Sequence, residues 1–204
     1  MASDEQIRLR GLGEITAGPS GSLLDRLNDG PDGIPVVSPS DITDRHTVDT
    51  RRLRRVPWDD AKKLARFSLQ EGDIVVVRQG SLGRLALIGM ERDTWFYGSS
   101  CFRIRPRHDL ILPAYLTLYL SFPPMQKELL SQALPGTVHS LNSAILSELL
   151  ITVPPMERQQ AIAAIFADID DQVQVHKDTA DRLEALRLAI FDEMLGAVRS
   201  ACTD

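Results

Sequence analysis

Aromatic residues and cysteines are both scarce in this sequence of 204 residues. Phe, Trp and Tyr together make up only 5% of the chain, which disfavours a protein that binds single strands by stacking bases on aromatic side chains. The two cysteines, Cys101 and Cys202, lack the spacing of a metal site, and a disulfide scaffold is disfavoured as well. We therefore expect a chain adapted to the reducing environment of the cytoplasm.

Long apolar runs and the common signatures of catalytic sites are also missing. Apolar runs such as residues 74–77 are far too short to span a bilayer, and the polar residues 1–10 do not resemble a signal peptide. The four histidines are scattered, and the sequence has no phosphate-binding loop, no nucleophile elbow and no methyltransferase glycine loop. Asp73 precedes a strand as in some nuclease cores, but no Glu-x-Lys follows, so a nuclease is the weaker interpretation. We expect no metal, no cofactor and no catalytic residue here.

The charged residues are unevenly distributed along the chain, whose net charge is −5. Residues 45–107 contain 14 basic and 7 acidic side chains, whereas residues 1–44 contain 3 and 8, and residues 108–204 contain 6 and 13. A basic segment between acidic flanks is typical of a protein with an anionic partner. A solvated surface would produce the same counts, so composition leaves both interpretations open.

Residue patterns predict a mixed α/β fold. β-branched residues at 73–78 and an apolar run at 84–88 flank a glycine-containing turn, which predicts a hairpin with a five-residue loop. Other segments show strand or helix patterns: strands at residues 34–37, 96–97, 101–104 and 150–153, and helices at residues 58–65, 114–121, 124–134 and 142–146. We expect loops at residues 11–33, apart from a short helix at 23–27, and at residues 45–57.

A single long helix is predicted from Pro155 to about Leu195, because the chain between them contains no Gly or other Pro. Such a helix is on the order of 60 Å long. Its apolar positions alternate by four and three residues, as in a heptad repeat: Ile162, Phe166, Ile169, Val173, His176, Ala180, Leu183, Arg187, Ile190 and Met194. His176 and Arg187 are its weak points. A seam this long needs a second helix, from another protein or from a second copy.

These features, taken in order, resemble the target-recognition domain of the specificity subunit of type I restriction–modification systems. The matching segments are residues 33–37 with Asp41-Ile42, residues 69–78 with Gly80 and Gly83, residues 102–106 with residues 113–116, residues 136–141, and residues 149–155 with Glu157, Gln159 and Ile162. Each segment alone has low specificity. Their order is specific, above all the Val153-Pro154-Pro155 run that leads into the long helix.

The resemblance implies an α/β (α+β) recognition domain with a twisted, mainly antiparallel sheet at residues 1–154, followed by a coiled-coil helix and a short tail at residues 155–204. Members of this family usually carry two such domains and two spacer helices, so this sequence looks like a half-subunit. We therefore expect a homodimer, formed through Ile162, Phe166, Ile169, Val173, Leu183 and Ile190, that reads a split palindromic site in double-stranded DNA. The resemblance also implies a methyltransferase subunit as partner, and it allows an ATP-dependent restriction subunit.

Three groups of side chains are the candidates for DNA contact, because cations and small polar groups bind phosphates and base edges. They are Arg78, Gln79, Ser81 and Arg84 in the hairpin; Arg51, Arg52, Arg54 and Lys62 in the basic segment; and Thr137, His139, Ser140 and Asn142 in a later loop. The arginines could equally be solvated, and Asn142 could cap a helix. The alternative function is an oligomerisation or adaptor protein of a DNA-defence complex, without its own sequence readout.

Overall fold

The structure of the chain is a computed structural model, and it describes residues 5–19, 24, 27–28, 30–92, 94–132 and 140–201. Its strands are β1 (Glu5–Arg8), β2 (Gly13–Ala17), β3 (Ile34–Val37), β4 (Arg54–Val56), β5 (Ile74–Val77), β6 (Leu85–Leu87), β7 (Phe96–Tyr97), β8 (Cys101–Pro106) and β9 (Leu150–Val153). Its helices are α1 (Leu9–Leu12), α2 (Trp58–Leu64), α3 (Pro113–Ser121), α4 (Pro123–Ser131), α5 (Ser143–Glu148) and α6 (Met156–Ala201). The short helix predicted at residues 23–27 lies mostly outside the described residues.

The strands form three sheets, which confirms the predicted mixed, mainly antiparallel α/β class. The largest sheet has the order β2-β8-β5-β6, and all of its pairings are antiparallel. A second sheet has the order β4-β3-β7, in which β3 and β7 run parallel. The third sheet pairs β1 with β9. The chain divides into two compact units, Met1–Ala163 and Ala164–Asp204.

Strand β5 separates two hydrophobic cores, because successive side chains of a strand point to opposite faces of the sheet. Ile74 and Val76 pack into the first core with residues of α3, α4 and α5. Val75 and Val77 pack into the second core with residues of β3, β4 and β7. The unbroken run of β-branched residues in β5 is therefore explained by burial on both faces.

Several short strands were missed by sequence analysis. The loop prediction for residues 11–33 is wrong where β2 forms, and the loop prediction for residues 45–57 is wrong where β4 forms. Strand β2 pairs with β8, and a Cβ atom at Gly13 would lie 2.6 Å from the Arg105 carbonyl oxygen. Strand β1 pairs with β9, so that Glu5 faces Val153. These strands depend on distant partners rather than on local hydrophobic alternation.

Helix α6 confirms the predicted long helix. Glu157 lies in its first turn, where a carboxylate interacts favourably with the helix dipole. Within residues 164–195, the seam residues Phe166 and Ile169 are 45% and 48% exposed. Other large apolar side chains of this segment are exposed as well: Ile165, Val173, Val175, Leu183, Leu186, Leu188, Ile190, Phe191, Met194 and Leu195. Ile162, at the start of the seam, is half-buried and packs against the first core.

The first turns of α6 are attached to the domain through Gln159, whose side chain is buried. Its Oε1 atom accepts a hydrogen bond from the Leu112 backbone N–H at 2.7 Å. Its Nε2 atom donates to the carbonyl oxygens of Leu110 at 3.1 Å and Pro154 at 2.9 Å. One amide side chain thus satisfies three backbone groups from two different segments.

Replacing Gln159 with Leu should lower the free energy of unfolding by about 2–3 kcal/mol, because a buried polar group without a partner costs about 1–3 kcal/mol. Urea denaturation of the Gln159→Leu variant measures this change. Gln160→Leu is the matched control, since Gln160 is exposed on the same helix and surface substitutions usually change stability by less than about 0.5 kcal/mol. Equal stabilities for the two variants would contradict the anchoring role.

Candidate nucleic-acid interface

The tip of the β5–β6 hairpin spans residues 78–84 and is held in one conformation. Gly80 and Gly83 have φ values of +88° and +78°, in the left-handed region that favours glycine. The Gly83 N–H donates to the Val77 carbonyl oxygen at 3.1 Å, and the Val77 N–H donates to the Arg84 carbonyl oxygen at 2.8 Å. A side chain at Gly83 would also collide with Gln126 of α4. The two glycines are therefore required by the backbone conformation of the turn, and Gly83 also by its packing against Gln126.

Three neighbouring segments hold this tip in place. Gln126 donates its Nε2 hydrogen to the Gly83 carbonyl oxygen at 3.1 Å. The Leu141 N–H donates to the Arg78 carbonyl oxygen at 2.9 Å, and the Arg78 N–H donates to the Ser100 carbonyl oxygen at 2.9 Å. The structure therefore brings residues 140–142 and the loop at residue 100 to the base of the hairpin tip.

The candidate residues of the later loop have different positions. Ser140 forms an isolated antiparallel bridge with Gln79, so these two candidates are neighbours. Asn142 accepts a hydrogen bond from the Ile145 N–H at 2.8 Å and caps α5, as the alternative interpretation expected. Thr137 and His139 lie outside the described residues.

The two arginines of the hairpin have different surroundings. The Arg78 guanidinium lies over the Phe102 ring, 5.1 Å from the ring centroid, in a cation–π geometry. Its Nε atom is buried and has no hydrogen-bond partner within the described part of the chain. Arg84 instead donates from Nη2 to the Ile42 carbonyl oxygen and, at 3.0 Å, to Asp44 Oδ1. Ser81, between them, is exposed at the tip.

A second basic cluster lies in the segment around β4. Arg51, Arg52 and Arg55 line a cleft of about 540 Å³. The Arg51 guanidinium donates hydrogen bonds of 2.6–3.1 Å to both carboxylate oxygens of Asp49, and these bonds lower the pKa of Asp49 to about 2. Arg51 and Arg52 are exposed. The cleft thus brings together three guanidinium groups, one of the kinds of donor that contact phosphate oxygens.

The remaining basic candidates of this segment are Arg54 and Lys62. Arg54 donates from Nη2 to the Leu27 carbonyl oxygen at 3.0 Å. Lys62 is exposed on α2.

A second cleft lies beside the hairpin. It is lined by Thr43, Asp44, His46, Leu82, Gly83, Arg84, Leu85, Ser121 and Gln126. Of the candidate residues, Arg84 lines the cleft beside the hairpin, and Arg51 and Arg52 line the cleft around β4.

Asp73, which directly precedes β5, forms an ion pair with Arg105 of β8. Asp73 is only 1% exposed, and its two carboxylate oxygens accept hydrogen bonds from Arg105 at 2.8 and 2.7 Å. Asp73 Oδ2 also accepts from the Gln70 N–H at 2.8 Å. The carboxylate that resembled a nuclease residue is thus engaged by neighbouring donors. Among the described residues, no three His, Cys, Asp or Glu side chains form a group that could hold a metal ion.

Sequence reasoning missed two contributors to this surface. Sequence analysis assigned no role to Gln126. Of the loop at residues 43–47, it noted only that a basic segment begins at residue 45. Both are placed beside the hairpin only by the tertiary fold.

In the described part of the chain, no helix is both long enough and apolar enough to cross a membrane.

Comparison with known proteins adds a family match over most of the chain. A family model described as "Type I restriction modification DNA specificity domain" matches residues 4–185. The EcoBI type I restriction enzyme specificity subunit of Escherichia coli is 28% identical over 131 residues, which are 64% of this chain and 27% of that protein. The putative MjaX specificity subunit of Methanocaldococcus jannaschii is 28% identical over 174 residues, which are 83% of this chain and 40% of that protein. The chain therefore spans well under half of either relative.

Solved structures show the same fold. A chain from a study of complex assembly and conformational transition of the type I R-M system aligns with a TM-score of 0.68 at 21% identity, over 91% of this chain and 43% of its own length. The HsdS subunit from Thermoanaerobacter tengcongensis aligns with a TM-score of 0.60 at 19% identity, over 88% of this chain and 40% of its own length. At these identities the likeness concerns the fold alone.

Proposed function

Because the chain belongs to the family of type I restriction modification DNA specificity domains, we propose that it reads a sequence in double-stranded DNA and directs a partner methyltransferase to it. The observation that carries this proposal is the hairpin tip. There Arg78, Gln79 and Ser81 lie on a turn held by hydrogen bonds, with Ser140 beside them. A firmly positioned set of donors and acceptors is what the readout of base edges requires.

The basic cleft and the hairpin tip would make different kinds of contact with DNA. The basic cleft at Arg51 and Arg52, with Lys62 on α2, supplies phosphate contacts that give affinity and salt dependence. The hairpin supplies the amide of Gln79, which can pair with adenine through two hydrogen bonds. The methyl transfer belongs to the methyltransferase partner, and an ATP-dependent restriction subunit would use the same target.

The proposal extends to the assembly. We propose that a second copy of this chain covers the exposed apolar side chains at the heptad positions of α6, which are Phe166, Ile169, Val173, Leu183, Ile190 and Met194. Two copies of one surface pair most simply around a twofold axis. Two identical recognition domains would then read two half-sites of a split palindrome.

Methylome sequencing of cells with and without the gene tests the proposed function. A bipartite motif should be methylated only when the gene is present. Gln79→Ala should change the preferred base at one position of each half-site, since a bidentate base contact is worth about 1–3 kcal/mol of discrimination, or about 5–150-fold. Arg107→Ala is the control, because Arg107 is an exposed residue paired with Asp109 outside both clefts.

Two results would count against this function. A methylation pattern independent of the gene would remove the role in directing a methyltransferase. Failure of the chain to bind any duplex at low salt, with or without a methyltransferase partner, would favour the adaptor alternative. An unchanged motif in the Gln79→Ala strain would remove the hairpin from the readout.

A further inference from the structure

The loop at residues 43–47 is closed by hydrogen bonds between its own residues. It connects Ile42 and Val48, which form an isolated antiparallel bridge. The Thr43 N–H donates to the Thr47 carbonyl oxygen at 2.8 Å, and the two threonine hydroxyl groups lie 2.8 Å apart in a hydrogen bond. His46 has a φ of +58°, a left-handed conformation that few residues other than glycine adopt. The loop therefore has one preferred shape.

The same loop is docked onto β6, the edge strand of the largest sheet. The Leu87 N–H donates to the His46 carbonyl oxygen at 2.9 Å, and the His46 Nδ1 atom lies 3.3 Å from the Leu85 carbonyl oxygen. Arg84 completes the attachment by donating to the Ile42 carbonyl oxygen and to Asp44. One guanidinium thus joins the hairpin tip to both the beginning and the tip of the loop.

The loop presents charged side chains of both signs beside the hairpin. Asp44 and Arg45 are exposed at its tip, whereas His46 is half-buried beneath them. A carboxylate next to a phosphate group is repelled, so this tip is poorly suited to the DNA backbone alone. Base edges suit it better, because arginine pairs with the O6 and N7 atoms of guanine and a carboxylate accepts from the amino group of cytosine.

We infer that the loop at residues 43–47 is a base-reading element in which Arg45 determines specificity and Arg84 is a positioning residue. This inference rests on the proposed function and deepens it. Discrimination between bases is favoured when the backbone that carries the reading side chain is ordered before binding, and the internal hydrogen bonds of the loop order the backbone at Arg45. Arg84 acts through the loop, because its Nη2 group donates to the Ile42 carbonyl oxygen and to Asp44.

A selection from duplexes with a randomised central region tests this inference on the 204-residue chain. The wild-type chain should enrich a sequence containing a G·C pair that Arg45→Ala no longer enriches, with discrimination at that pair falling about 10-fold or more. Arg45→Lys should keep most of the affinity but lose the same discrimination, since lysine lacks the planar fork of arginine. Arg84→Ala should relax the same base pair, and the Arg45→Ala and Arg84→Ala double variant should show little further loss.

The outcomes separate this inference from the proposed function. If the wild-type chain enriches no sequence, with or without a methyltransferase partner, both fail. If the wild-type chain enriches a sequence and Arg45→Ala enriches the same one, only the inference fails. A uniform loss on all duplexes with a shallower salt dependence would mark Arg45 as a phosphate contact and would also overturn it. Thermal unfolding of each variant, with Arg107→Ala as the charge-matched control, verifies that the domain remains folded.

Discussion

An aspartate in place of Ile169 should convert the proposed dimer into a monomer at micromolar concentration. Ile169 is the third position of the heptad seam, and its side chain is exposed in the single chain. In a dimer that buries the seam, the substitution would place one carboxylate from each copy in an apolar interface, which costs several kcal/mol for each buried charge. We expect the dimer dissociation constant to rise by about 1,000-fold or more, which corresponds to about 4 kcal/mol.

Light scattering or sedimentation equilibrium measures this change. Ala167→Asp is the matched control, because it introduces the same charge at an exposed position off the seam. DNA affinity should fall together with dimerisation, since the gain from two linked half-sites is about 10²–10⁴-fold. A strict monomer for the unsubstituted chain would contradict pairing with a second copy and would leave the seam to a partner protein.

Replacing Asp73 with Ala should destabilise the recognition domain by about 3–4 kcal/mol. The substitution removes the two carboxylate acceptors of the Arg105 guanidinium, which keeps only the Ser68 carbonyl oxygen, and it removes the acceptor of the Gln70 N–H. Arg105 would then keep its charge in a position where its side chain is only 30% exposed, and removing one partner of a buried pair typically costs about 3–5 kcal/mol. Partial solvation of Arg105 places the expected value at the lower end of that range.

Urea denaturation measures this loss, and Asp109→Ala is the control because its ion pair with Arg107 is exposed. The double variant Asp73→Ala with Arg105→Met should recover part of the stability, since no unpaired charge remains. A loss below about 1 kcal/mol for Asp73→Ala alone would show that the pair contributes little. A loss of stability without any recovery in the double variant would indicate that the Gln70 contact matters more.

The two arginines of the hairpin show that a basic residue in the sequence does not reveal its surroundings in the fold. Arg78 and Arg84 stand six positions apart on one hairpin and looked equivalent. The structure places one guanidinium over the Phe102 ring and uses the other to hold the loop at residues 43–47. Their variants should therefore differ, with Arg84→Ala acting through Arg45.

The sequence by itself determined the features that depend on neighbouring residues. The β-branched run of β5, the glycine turn after it and the long helix α6 all follow from interactions that reach only a few residues along the chain. Family membership followed as well, because the order of these segments is itself a sequence property. Local propensity, turn geometry and heptad spacing need no knowledge of the rest of the fold.

Only the tertiary structure decided which distant segments meet. Strand β1 forms against β9 near the other end of the domain, and Arg84 contacts a loop 42 residues earlier in the chain. An arginine looks the same in sequence whether it is solvated, stacked on a ring or bound to a buried carboxylate. Its role is set by burial and by the partners around it, and these depend on the complete path of the chain.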